Sequence, residues 1–237
     1  KVITIADEKN IIKSIPIIKI GLKLFVMFLL YFVVIYGVSP LLYFLIAKRK
    51  GVKELKPILP YVALTFIASF YEFFGTLTFK WDCSYWFVIY EILSFLTIFY
   101  FFYQVLQKQF AKLFLTFLFG FITLWFFLLW NFNIKDLLII NSYSHTFITV
   151  FILFFTIIWF RKLMVDAYIE NLLKNSTFYF ISGLILYHCG TVFLFLLSNY
   201  IYKADSNLLH SYWMINILLN FVLRTLLIVG IWKAKKN

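Results

Sequence analysis

Seven apolar stretches, 18 to 24 residues each, follow one another through residues 24–232 with only short polar links between them. About 20 helical residues cross the ~30 Å of hydrocarbon in a bilayer, so each stretch is long enough to span. Phe, Leu and Ile run on without the two-residue alternation of a barrel strand, which argues against a transmembrane β-barrel. Only 14% of the 237 residues are charged, against about 25% in soluble domains. The sequence therefore predicts an all-α, polytopic membrane protein, a seven-transmembrane-helix bundle over residues 24–237 preceded by a basic extension, 1–23. That extension lacks an A-x-A-like cleavage site and does not read as a removable signal peptide.

The expected spans are 24–47, 57–77, 85–106, 113–130, 143–160, 177–200 and 211–232. Pro40 is expected to kink the first. Pro57 and Pro60 fall in the first turns of the second, where proline is tolerated. The basic residues give the orientation. Lys48, Arg49, Lys50, Lys53, Lys56, Lys108, Lys112, Arg161, Lys162, Lys174, Lys233, Lys235 and Lys236 lie on one side, thirteen in all. Lys80, Lys135 and Lys203 lie on the other, joined by five lysines of the extension. The positive-inside rule then gives N-out/C-in. The net charge of +12 reads as headgroup contact and topology, not as nucleic-acid binding. Seven tryptophans near span ends match an interfacial belt. The link 161–176 mixes apolar and charged residues at near-helical spacing, as in a lipid-surface helix or a docking surface for a signalling partner.

Function has to reside in the few polar residues inside the spans, because an ionisable group at depth is costly and by default functional. Six stand out as a candidate ligand-binding set: Glu72, Glu91, His188, Asn216, Asn220 and Arg224. Thr65, Ser69, Glu72 and Thr76 share one helical face, as do Tyr212, Asn216, Asn220 and Arg224, each four apart. His145, Thr149 and Thr156 form another stripe. Counted at ~1.5 Å per residue, Glu72, Glu91 and Asn216 fall in an outer layer. His188, Asn220 and Arg224 fall in a central one, and His145 and Asn199 at the outer rim. The pairing expected between Glu72 and Glu91 admits three readings: a cation or amine site, a hydrogen-bonded structural pair, or proton transfer or catalysis. Arg224 reads either as snorkelling toward the cytoplasmic face or as an anion anchor or ion-pair partner. Gly183 and Gly190, seven apart, permit close helix approach.

No catalytic signature or zinc spacing is present in the sequence. Cys83 and Cys189 make no disulfide framework. A seven-span zinc hydrolase would need a fuller histidine set than His145, His188 and His210, so no cofactor or metal is expected. A transporter or channel subunit is the first alternative, without support from an internal repeat; a membrane-embedded metal-dependent hydrolase, with His188, Glu72 and Glu91 as the set that could hold its metal, is the second. YEILSFLTIFYFF, ISGLILYHCGTVFLFLLSNY and YWMINILLNFVLRTLLIVGIW resemble small seven-span membrane proteins common in Bacteroidota, associated with sensing beside histidine kinases. The resemblance covers most of the chain from Met27 onward. It implies a seven-span bundle and a sensing role, and it carries no residue roles onto positions here. The sequence reading as a whole places the chain in the bacterial inner membrane, with the lipid bilayer and a membrane signalling partner or other transmembrane subunits as its expected neighbours.

Overall fold

A computed structural model describes residues 28, 31–32, 35–48, 55–79, 84–106, 108–132, 136–165, 172–204 and 206–236. The basic extension, Cys83, Lys80 and the middle of the 161–176 link lie outside the described residues. All regular structure among the described residues is helical. The helices are α1 (Ser39–Lys48), α2 (Leu59–Tyr71), α3 (Ser84–Leu106), α4 (Ala111–Asn131), α5 (Leu137–Val165), α6 (Ser176–Ala204) and α7 (Ser206–Lys236). Helix α2 passes directly into a π-helix, Glu72–Thr78.

Five of these helices, α3 to α7, are long and apolar enough to cross a membrane, and Leu59–Gly75 is a shorter apolar helix. Their outward faces agree: Phe119 and Phe193 are each 70% exposed and Phe126 72%. Water would not tolerate so continuous an apolar surface, whereas lipid does. The chain is thus a multi-pass membrane protein by the length and character of its helices. Pro40 does not bend a continuous helix. The first apolar stretch breaks one turn earlier, at Gly37–Val38, and Ser39 Oγ donates to Tyr36 O at 2.6 Å. Pro40 then sits in the first turn of α1, where its missing N–H costs nothing.

Once helices are in lipid, packing rather than exclusion from water holds them together. Helix α6 lies along α7 for much of its length, and glycine makes this approach feasible. A Cβ on Gly183 would sit 3.2 Å from Leu226 Cβ, and one on Gly190 would sit 2.6 Å from Leu219 Cδ1. Both glycines picked out from sequence therefore face α7. On the other side, α3, α4 and α5 meet through phenylalanines. Phe95 stacks on Phe121 at 3.8 Å between centroids, and Phe114 on Phe155 at 4.1 Å. Phe151 meets Phe95, Phe99, Phe102, Phe114 and Phe117 at 5.3 to 6.2 Å. Trp125 and Trp159 are buried in the bundle, so the interfacial-belt reading does not hold for these two.

Candidate functional site

Helix α5 begins at Leu137, six residues earlier than the hydropathy reading placed its span. Asn141, Ser142, Ser144 and His145 therefore lie within the helix rather than at its rim, with His145 about 12 Å in from the helix start. All four are buried. Ser142 Oγ donates to Phe195 O of α6 at 2.8 Å, which ties the two helices.

His145 is the hub of this region. Its Nε2 lies 2.8 Å from Thr191 Oγ1 on α6. Its Nδ1 lies 3.6 Å from Glu91 Oε1 on α3. The ring stacks on Phe195 at 4.1 Å and on His188 at 4.8 Å. His188 and Phe195 are seven residues apart on α6, roughly 10 Å along the axis, so the His145 ring inserts between them. His188 is 2% exposed, and neither of its ring nitrogens has a hydrogen-bond partner among the described residues. Buried polar atoms of this kind are uncommon and call for an explanation such as a bound water, ion or functional role.

A second cluster forms around Arg224 of α7, which is 3% exposed. Its Nη2 donates to Ser69 Oγ of α2 at 2.8 Å, and Ser69 Oγ donates in turn to Thr65 O at 2.9 Å. Gly37 makes room for this contact, since a Cβ there would run into Ser69 Oγ and lie 2.6 Å from Arg224 Nη1. Glu72 opens the π-helix after α2 and is exposed at the bundle surface, within electrostatic reach of Arg224. π-Helical turns are frequent at functional sites.

Three phenols lie near both clusters, Tyr61 and Tyr187 buried and Tyr90 half-buried. Tyr61, Tyr90 and Tyr187 lie within electrostatic reach both of Glu91 and of Arg224. Tyr187 donates from its hydroxyl to Asn216 Oδ1 at 3.2 Å. The Tyr61 hydroxyl is buried without a partner among the described residues.

The six residues picked out from sequence thus divide differently from the two layers expected. Glu91 and His188 meet at His145; Arg224 engages Ser69, with Glu72 in its field; Asn216 joins through Tyr187. Asn220 is half-buried on α7. Glu91 contacts His145, and Glu72 lies within electrostatic reach of Arg224. Arg224 does not snorkel, since its guanidinium is held by a neighbouring helix. His145, Thr191 and Tyr187 were missed as site residues. The signal for His145 was the polar run Asn141–Ser144 before it, which resembles a loop unless the helix is extended through it.

Among the described residues no group of three or more His, Cys, Asp or Glu is placed to hold a metal. Glu72, Glu91 and His188, the set weighed for that purpose, are divided between the clusters. A separate groove of about 390 Å³ between α3 and α4, lined by Leu96, Leu118, Phe121, Trp125 and Leu129, is apolar and away from these residues. Comparison with protein-family models, curated proteins and solved structures finds no match to the chain.

Proposed function

We propose that the chain is a seven-span, non-enzymatic sensor or accessory subunit of a bacterial inner membrane, N-out/C-in. In this reading its polar centre engages a small or lipidic ligand or a partner helix, and the change is passed to a partner on the cytoplasmic side. One observation carries the reading: His188, buried beside the Glu91–His145 contact with both nitrogens unpartnered among the described residues. Such a group has hydrogen-bonding capacity that a change of occupant or arrangement can fill.

Two further features support it. Helices α5 and α7 run without interruption from the polar centre to their basic ends at Arg161 and Lys162 and at Lys233 and Lys235. The π-helix at Glu72 gives α2 a register irregularity beside Arg224. The thirteen-to-eight distribution of basic residues supports the orientation, and the resemblance to seven-span sensory proteins agrees with the role.

Spin labels at positions 162 and 235, in protein reconstituted in bilayers, test the coupling. Perturbing the centre with Glu91→Gln or Ser69→Ala is expected to shift the label-to-label distance distribution. A distribution unchanged in both variants would argue for a rigid scaffold instead.

A further inference from the structure

We infer that Glu91 and His145 form a proton-binding site inside the membrane, with Thr191 as the residue that sets the tautomer. The inference deepens the sensing reading by naming its ligand class. It rests on that reading only for the step from occupancy to helix movement.

The starting point is one hydroxyl hydrogen. Thr191 Oγ1 lies 2.7 Å from Tyr187 O, a separation that is a good hydrogen bond with a proton between the oxygens and a repulsive contact without one. Threonine within a helix commonly donates to the carbonyl four residues back. With its only hydrogen so placed, Thr191 Oγ1 can only accept from His145 Nε2, 2.8 Å away. His145 therefore carries a hydrogen on Nε2.

Nδ1 of a neutral ring in that tautomer is a lone pair, and it faces Glu91 Oε1 at 3.6 Å. Two acceptors opposed in a buried site repel, and this carboxylate would lie next to no donor from His145. One additional proton resolves the contact. It sits either on Glu91, whose O–H then points to Nδ1, or on Nδ1, giving an imidazolium–carboxylate pair. Exchange between the two forms breaks the Oε1–H bond and makes the Nδ1–H bond, leaving total charge unchanged. The proton itself comes from water at the membrane surface.

The surroundings accommodate either form without supplying a competing charge at contact distance. His188 of α6 stacks on His145 and lies within its electrostatic reach, so protonating both rings is disfavoured. Tyr61 of α2, Tyr90 of α3 and Tyr187 of α6 are the phenols facing Glu91. Glu72 and Arg224 lie within electrostatic reach of Tyr90 and Tyr187. The Phe195 ring face on His145 favours a cation there.

The test uses the full chain in lipid bilayers near neutral pH. Nitrogen-15 histidine combined with carbonyl-13 serine selects His145 by magnetic resonance, because Ser144–His145 is the only Ser–His step in the chain. Infrared spectroscopy reads the Glu91 carboxyl as the band lost in Glu91→Gln. The expected result is a hydrogen on Nε2 together with either a second hydrogen on Nδ1 or a protonated Glu91. In Glu91→Gln the amide donates to Nδ1, so His145 is expected to become a neutral Nε2–H ring and the protein to bind one proton fewer. Hydrogen on Nδ1 alone overturns the proposal, as does an Nε2–H ring beside an ionised Glu91. If the proton is found but the labels at 162 and 235 do not move in Glu91→Gln or Ser69→Ala, the sensing reading fails and the proton site stands.

Discussion

Helices α3 and α5 each pass through two kinds of interior. Glu91 and Phe95 are one turn apart on α3, and His145 and Phe151 less than two turns apart on α5, yet the first of each pair belongs to the polar centre and the second to the aromatic stack. In the stack Phe151 has ring neighbours on α3, α4 and α5, so each contact is one of many and none fixes the arrangement alone. In the polar centre the contacts are few and specific: His145 Nε2 meets Thr191, its Nδ1 meets Glu91, and Ser142 Oγ meets one carbonyl. Dispersion adds over many contacts, whereas a hydrogen bond depends on one geometry. The aromatic region therefore supplies stability, and the polar region supplies a specific arrangement that one substitution or one proton can change.

The largest effect should come from the stack. Phe151→Ala is expected to cost about 3 kcal/mol by leaving a cavity among six rings, measured by reversible unfolding in mixed micelles. A smaller loss than that of any polar variant would break the comparison. Arg224→Leu removes a charge-assisted bond to Ser69 and is expected to cost about 2 kcal/mol in the same assay. Glycine substitutions should then divide by region. Gly37→Ala drives a Cβ into Ser69 beside Arg224 and is expected to destabilise by about 1–2 kcal/mol. Gly120→Ala meets only Phe147 at an ordinary 3.5 Å and is expected to stabilise by up to about 1 kcal/mol through helix propensity. The same sign at both positions would contradict the division. Ser142→Ala, which loses one interhelical bond, should cost only about 0.6 kcal/mol.

The class of the protein was legible because a bilayer imposes a length and a polarity on any spanning helix, and α3, α4, α6 and α7 begin or end within a few residues of the expected bounds. Helical phase put Ser69 and Glu72 on one face, and both lie near Arg224; Gly183 and Gly190 permit the close helix approach expected of them, against α7. What phase and depth could not give is rotation of one helix against another. Glu72 and Glu91 have similar depth and look like a pair on that count, but Glu91 contacts His145 whereas Glu72 lies in the field of Arg224. Hydropathy also cut α5 short, since Asn141, Ser142 and Ser144 lower the local average although all three are buried and Ser142 is tied to α6. That error placed His145 at the rim and hid the hub.

The central claim is that Glu91 and His145 interact across α3 and α5 inside the membrane. A double-mutant cycle with Glu91→Ala and His145→Ala, read by unfolding free energy in bilayer-mimetic bicelles, tests it most directly. The account predicts a coupling of about 1 kcal/mol between the two substitutions. Losses that add to within about 0.3 kcal/mol would contradict it.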